Sequence, residues 1–579
     1  MRRTKIVATL GPASAGVGPI SALITAGADV FRLNLSHGGL ETHLSSLAAI
    51  RQASGSLQVR VATLIDLRGP EVRLGPFADG GVTATPGEDW RIVEGQGPSA
   101  HGLLVVGARG ILAKLASGQE VLVDDGNVRL VVRAAGSGEA RCMVVDGGHI
   151  ADRKKLNFPG VDLGLPAVTE LEEEHIAFGV REGVDYIALS FVSGPEDVIQ
   201  ARRVLEKLGG DCGLIAKVEN ARGVERAEQI LKAADGLMVA RGDLGVEIPP
   251  EEVPHVQKRL IRLCRQAGKP VITATQMLES MVVHARPTRA EASDVANAIL
   301  DGTDALMLSA ETAVGKYAAE AVATMARIAV RAERALDAEP NALALATNTA
   351  TGAIGRATAT IARDLGAAAI VTATSSGHTA RMVARHRPGV PVIAATPSEA
   401  TARKLKLVWG VIPLTVPPHP DTDALCEASV DAAHRAGLLR DGDLVVITAG
   451  VPAGIPGTTN ALRVHVVGDF VLRGTGIGNR GATGPARLVR SAAQAASIED
   501  GDIVIAEGTD AGFLPALKRA AGLVAEEGGL TSHAAIVALN LGLPAVIGAE
   551  GALGLLAGGE LVTIDGTRGL VYRGESKVL

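Results

Sequence analysis

Short apolar runs alternate with stretches of helical period from the first residues to about residue 337. Eight of the runs read as strands: Lys5–Leu10, Val30–Ser36, Val59–Asp66, Tyr186–Val192, Leu214–Glu219, Gly236–Asp243, Val271–Gln276 and Ala305–Glu311. Most are followed by a segment with helical spacing of its apolar residues, such as Pro195–Leu208, Gly223–Ala233 and Pro250–Ala267. Eight strand–helix units predict an α/β fold, a closed parallel (β/α)8 barrel built from residues 1–69 and 156–337. From Gly69 to about Lys155 the pattern changes to Gly-rich alternation, as in Glu120-Val-Leu-Val-Asp124 and Val128-Arg-Leu-Val-Val-Arg133. Residues 70–155 are therefore expected to form an inserted β-barrel, placed at a barrel loop to act as a lid. After Ala338 the alternation resumes through Ala369-Ile-Val-Thr-Ala-Thr374, Val390-Pro-Val-Ile-Ala-Ala-Thr396 and Asp443-Leu-Val-Val-Ile-Thr448, predicting a separate α/β domain over 338–470. A Gly-rich passage, Gly474–Gly484, reads as a linker or loop, and 471–579 as a further compact domain.

Composition narrows the class. Aromatic residues are only 2% of 579, whereas Gly, Ala, Val and Leu dominate, which suits strands buried on both faces and argues against an aromatic-rich sandwich. The net charge of −6 is spread along the chain without a basic arm, so nucleic acid is not expected as a partner. The four cysteines are far apart and lack the spacing of a thiolate metal site or a disulfide framework. With no apolar run of about 18 residues, a soluble, cytoplasmic protein without membrane contact is expected.

The ends of the strands carry the chemistry. In a barrel of this kind the C-terminal strand ends converge, and here they read Arg32, Asn34, Ser36 and His37, then Asp66, Lys217, Glu219 and Asn220, Arg241 and Asp243, Thr273 and Thr275, and Ser309 and Glu311. Residues two apart on a strand share a face, so Lys217 and Glu219 point the same way. Glu219 and Asp243 from adjacent strands suit Mg²⁺, which takes one or two carboxylates plus water and substrate oxygens. A lysine beside them would neutralise a phosphoryl group in transfer. An ion-pair ring that merely closes the barrel mouth remains the competing reading for any one of these residues.

These blocks resemble the pyruvate kinase family: Thr4-Lys-Ile-Val-Ala-Thr-Leu-Gly-Pro-Ala-Ser14, Arg32-Leu-Asn-Leu-Ser-His-Gly38, Asp66-Leu-Arg-Gly-Pro-Glu-Val-Arg73, Asn157-Phe-Pro-Gly160, Ala216-Lys-Val-Glu-Asn220, Met238 to Pro249, and Lys269 to Thr312 with Ala274-Thr-Gln-Met-Leu-Glu-Ser280. The resemblance covers residues 1 to 468. It implies transfer of phosphate from phosphoenolpyruvate to ADP, leaving enolpyruvate that is then protonated to pyruvate. It further implies Lys217, Thr275 and Arg32 as catalytic residues, with the backbone N–H groups of Gly242 and Asp243 receiving the substrate carboxylate. Glu219 and Asp243 match ligands of Mg²⁺ (or Mn²⁺), and Asn34, Ser36, His37, Arg73 and Lys154 match positions that meet ADP or ATP. The K⁺ site of the family matches Asn34, Ser36, Asp66 and the carbonyl of Leu67. Leu67 and Arg68 depart toward K⁺-independent relatives, which carry a lysine where this chain has Glu71, so K⁺ dependence is expected. A homotetramer is implied by the same resemblance.

In the third domain, Thr374, Ser375, Ser376, Gly377, His378 and Thr379 follow a strand and precede a helix, an arrangement that offers N–H groups and hydroxyls to phosphate. They coincide with the loop where relatives bind a sugar-phosphate effector, and an ordinary capped helix is the alternative. The C-terminal segment, with Glu527-Gly-Gly-Leu-Thr-Ser-His533 and Gly542-Leu-Pro-Ala-Val-Ile-Gly548, resembles the mobile phosphohistidine domain of phosphoenolpyruvate-utilising enzymes over about 490–575. His533 matches the phosphorylated position. Because no partner nucleotide domain is read in the chain, a structural or regulatory appendage is the preferred reading. A dikinase-like enzyme and a catalytically silent sensor of the same fold are the rivals.

Overall fold

The computed structural model describes residues 2–338, 349–419, 421–440, 442–450, 459–468 and 470–576. Its packing falls into two compact units, Met1–Arg356 with Thr374–Thr415, and Ala357–Ala373 with Val416–Leu579.

In the first unit eight parallel strands close into a barrel: Lys5–Thr9, Val30–Asn34, Ala62–Asp66, Tyr186–Leu189, Gly213–Val218, Gly236–Ala240, Val271–Ala274 and Ala305–Leu308. Each pairs with its sequence neighbour, and Lys5 opposite Ala305 joins the first strand to the eighth. Val7, Leu64, Ile215, Met238 and Ile272 form one buried apolar cluster. Ile6, Phe31, Ile65 and Leu237, whose positions alternate with these, pack in another with Ile20, Leu47 and Leu260 of the helices. That alternation explains why every strand reads as a continuous apolar run: both faces are covered.

The strands are shorter than their sequence runs. The sixth stops at Ala240, whose last parallel partner is Ala274, and Arg241–Glu247 is already helix. The eighth stops at Leu308 before the helix Ala310–Ala313. The polar tails of these two strands thus belong to the turns beyond the ladder. The stretch Gly223–Ala233 divides into two helices, Ala221–Glu225 and Ala227–Ala233, the first capped by the Asn220 side chain accepting from the Gly223 N–H at 2.7 Å.

The insertion forms a seven-stranded sheet in the order Val72–Arg73, Lys155–Asn157, Glu120–Val123, Val128–Gly136, Glu139–Asp146, Asp89–Glu94, Leu103–Val106. A bridge between Leu74 and Val106 joins its edges, around a core that includes Trp90, Val121, Leu130 and Cys142. Later in this unit, Val392–Thr396 pairs in parallel with Val411–Thr415.

In the second unit, Leu444–Gly450 pairs in parallel with Ala369–Ala373 and antiparallel with Thr459–Val466. The C-terminal segment carries an eight-stranded sheet ordered Phe470–Arg473, Leu570–Arg573, Leu561–Asp565, Gly481–Val489, Ile503–Ala506, Gly522–Ala525, Ala545–Ile547, Thr475–Ile477. The Gly-rich passage expected to be a linker is therefore largely strand. A β-carbon on Gly476 would stand 2.4 Å from the Gly566 carbonyl oxygen, and one on Gly474 the same distance from that of Ile547. These glycines permit close backbone approach rather than flexibility.

Candidate active site

Neighbouring strand ends bring a connected chain of charged groups to one side of the barrel. Lys217, near the end of the fifth strand, places its ammonium 2.9 Å from Glu219 Oε1, 3.1 Å from Asp66 Oδ1 and 2.7 Å from Ser190 Oγ. Asp66, at the end of the third strand, takes Arg32 Nε at 2.7 Å on its other oxygen, and Arg32 Nη1 donates to Thr9 Oγ1 at 3.1 Å. Arg32, Asp66 and Glu219 are buried, and only 11% of the Lys217 side chain is exposed. Burial would push the Lys217 ammonium down, but Asp66 and Glu219 outweigh it and hold it above the ordinary lysine range. Burial would likewise raise Asp66, yet Lys217 and Arg32 keep its carboxyl below the usual range. Glu219 goes the other way: burial lifts it, Lys217 opposes, and the nearby Asp243 carboxylate adds to the rise.

That difference bears on a metal. Glu219 Oε2 accepts the Phe191 N–H at 2.6 Å, and Oε1 stands against the Lys217 ammonium at 2.9 Å. A buried carboxylate whose charge is disfavoured by a second carboxylate nearby is the donor chemistry a hard divalent cation takes. Among the described residues no three His, Cys, Asp or Glu side chains converge on one point, so any ion here depends on substrate or water for its remaining ligands.

Gly242 and Asp243 open the short helix Arg241–Glu247. Thr275, just past the seventh strand, has φ of 67°, and Gln276 and Phe191 are also left-handed at 54° and 56°. For a β-branched residue that conformation is rare and strained. It turns the Thr275 hydroxyl so that it accepts the Gly242 N–H at 2.8 Å and donates to the Ala274 carbonyl at 2.6 Å. Of the two N–H groups expected to meet the substrate, that of Gly242 is thus held by the residue expected to handle the proton.

Comparison with known proteins decides the family. The barrel-domain model of pyruvate kinase matches residues 1–322, the pyruvate kinase alpha/beta domain 352–465, and the mobile domain of PEP-utilising enzymes 498–569. Pyruvate kinases of Geobacillus stearothermophilus, Bacillus licheniformis and Staphylococcus aureus are 47%, 45% and 43% identical, with the whole of both chains covered in each case. The chain belongs to the pyruvate kinase family. It is an enzyme of that family, and among the described residues no helix is long and apolar enough to cross a membrane.

Other residues singled out from the pyruvate kinase resemblance make contacts of their own. Asn34 Oδ1 accepts the Ser36 N–H at 3.2 Å, and the His37 carbonyl meets His43 Nε2 at 2.9 Å. The Leu67 carbonyl accepts from Ser190 Oγ at 2.7 Å. Arg73 stands on the inserted sheet and Lys154 just before its strand Lys155–Asn157; Arg73 pairs with Glu71 at 2.6 Å and Lys154 with Asp124 at 2.8 Å. Arg68 approaches the same Glu71 at 3.9 Å, so Glu71 sits between two guanidiniums.

The proposed effector loop runs from buried Thr374 through exposed Ser375 and Ser376 to Gly377, at φ 75°, which caps the seven-residue helix His378–Ala384. Burial, then Arg381 and Arg385, lower the His378 imidazole pKa, so it is not a ready cation there. Thr379 is buried. In the second unit His533 begins the helix His533–Leu541, capped by the Ser532 side chain, with Nδ1 2.9 Å from Thr509 Oγ1.

Two neighbours of the site, Ser190 and Lys155, were not read from the sequence, and Arg241 was read only as a strand end. Ser190 links Lys217 to the Leu67 carbonyl, and its only signal was its place as the first polar residue after Tyr186–Leu189. Arg241 clamps the strand-seven turn, donating to the Thr275 carbonyl at 2.7 Å while pairing with Asp294 at 2.7 Å. Lys155, next to the chosen Lys154, contacts Asp243 itself.

Proposed function

We propose that the enzyme transfers the phosphoryl group of phosphoenolpyruvate to ADP, yielding ATP and pyruvate in the last step of glycolysis, with Mg²⁺ (or Mn²⁺) and K⁺ as cofactors. The observation that carries this reading is the buried Lys217 ammonium, fixed between Asp66, Glu219 and Ser190 beside Arg32. Preorganised cations of this kind stabilise charge that spreads over a phosphoryl group in transfer, and they need no rearrangement as the reaction proceeds. Arg32 and Lys217 bind that group, and the Gly242 and Asp243 N–H groups hold the substrate carboxylate. Thr275, with its hydroxyl beside Gly242, positions the proton delivered to the enolate carbon. Glu219 and Asp243 would hold the divalent ion, which when bound supplies positive charge against the transferring oxygens. Asn34, Ser36, His37, Arg73 and Lys154 form the nucleotide side.

For K⁺, the Asn34, Ser36, Asp66 and Leu67 oxygens are of the right hard type. Glu71, held by Arg73 and Arg68, offers no ammonium in its place, which supports K⁺ dependence. Thr374, Ser375, Ser376, Gly377, His378 and Thr379 are proposed as an anionic-effector loop, responding to a sugar phosphate or nucleotide. His533 is proposed as the residue of the C-terminal segment open to phosphorylation, within a segment whose role is structural or regulatory. A cytoplasmic homotetramer, with the segment limits 70–155, 338–470 and 471–579, completes the proposal. The deciding experiment is a coupled assay of ATP formed from phosphoenolpyruvate and ADP, with and without Mg²⁺ and with K⁺ replaced by Na⁺. Turnover that needs both ions is expected. Absence of ATP formation sinks the assignment, and full activity without K⁺ sinks the cation reading alone.

A further inference from the structure

Lys155 reaches the barrel mouth from the inserted sheet, as the first residue of the strand Lys155–Asn157. Its ammonium contacts Asp243 Oδ1 and lies 4.5 Å from the centre of the Phe191 ring, and only 12% of the side chain is exposed. Phe191 is the same residue whose N–H holds Glu219 Oε2. The ammonium therefore stands against Asp243 itself and against the residue whose backbone N–H holds the other carboxylate, Glu219. Two further carboxylates feel its charge. Burial raises Asp125 and Glu247, and Lys155 opposes the rise at each, after the Asn157 hydrogen bond in the case of Glu247.

An ammonium desolvated this far is held by its ion pair and by the face of the ring. The oxygen it occupies belongs to one of the two carboxylates assigned above to the divalent cation, and one carboxylate oxygen does not serve two close cations at full strength. Beside it lies a cavity of about 510 Å³ lined in part by Lys155, Asn157, Phe191, Arg222 and Glu247. The Glu247 carboxylate on that wall gives the ammonium a second acceptor.

We infer that Lys155 is a built-in competitor for the divalent-cation carboxylate, a positioning residue whose ammonium leaves Asp243 Oδ1 for the Glu247 side when the ion binds. The inference rests on the assignment of Asp243 as a metal ligand. It makes metal affinity depend on a residue of the insertion rather than of the barrel.

The test is a titration of the full-length protein with Mn²⁺ alone, free Mn²⁺ being read by its electron paramagnetic resonance signal with no substrate present. Lys155→Met is expected to bind Mn²⁺ on the order of tenfold more tightly. Arg153→Met, which removes the same net charge from an exposed residue two positions away, is expected to stay within about twofold of the unaltered protein. Unchanged or weaker binding in Lys155→Met overturns the inference, as does equal tightening in Arg153→Met. Lys155→Gln repeats the measurement should the methionine variant not fold. Asp243→Asn separates the two levels: if it binds Mn²⁺ as well as the unaltered protein, the metal assignment falls and this inference with it. If it loses binding while Lys155→Met changes nothing, only the role of Lys155 falls.

Discussion

Lys217 is balanced by two buried carboxylates, and its charge is the group the proposed reaction depends on most. Replacing it with Ala removes a preorganised cation and leaves Asp66 and Glu219 facing each other. Turnover of phosphoenolpyruvate is expected to fall by ~10²–10³ or more, and a steady-state assay with near-normal turnover refutes the role. Lys217, Asp66, Glu219 and Arg32 were legible in the sequence because charged residues directly after apolar runs have few reasons to be there other than chemistry or ion pairing. Ser190 was not, since a lone serine after Tyr186–Leu189 looks like any strand end. Lys155 was not legible either. Its partner Asp243 is 88 positions away, and only the docking of the inserted strand brings the two together.

At the scale of elements, the number and order of the barrel strands followed from apolar periodicity, and so did the interruption by an all-β segment. Where strands stop did not. Pairing ends when a neighbour has no further parallel partner, as Ala240 does after Ala274, and that is a property of the assembled ladder. The turns beyond are held by side chains instead. Arg241 spans two of them, donating to the Thr275 carbonyl and pairing with Asp294, and so maintains a threonine in a left-handed conformation at a cost of ~1–3 kcal/mol. Arg241→Met is expected to lower stability by ~1–3 kcal/mol. It should also raise KM for phosphoenolpyruvate, because the Gly242 N–H loses its fixed geometry. Denaturant unfolding and initial-rate kinetics check both, and a variant with unaltered KM removes the clamp from the account. The Gly474–Gly484 passage was misread for a related reason: glycine signals freedom locally, whereas here it admits a neighbouring strand's carbonyl.

Across the whole molecule, one of the carboxyls that folding keeps charged is Asp29, at the N-terminal edge of the barrel. Burial would raise Asp29, but Lys406 at 3.0 Å, Arg2 at 2.6 Å and Lys5 more than offset it, bringing its pKa from 3.8 to about 2. A carboxyl depressed on folding adds stability above its unfolded pKa and loses it as pH falls through the folded one. The contribution, ~2 kcal/mol, is therefore complete above pH ~4 and gone below pH ~2. Thermal unfolding of the unaltered protein and of Asp29→Asn should converge across that window; a gap that persists below it points to hydrogen bonding rather than charge. All four cysteines are buried, and burial raises every thiol, Cys142 to about 12 and Cys212 to about 11. Thiolate is scarce on each at neutral pH, so alkylating and oxidising reagents find little to attack. A cysteine introduced at exposed Ser137, in the turn between two strands of the insertion, would be the one fast-reacting thiol on the protein, and a dye attached there would report on the insertion without any native cysteine first being removed.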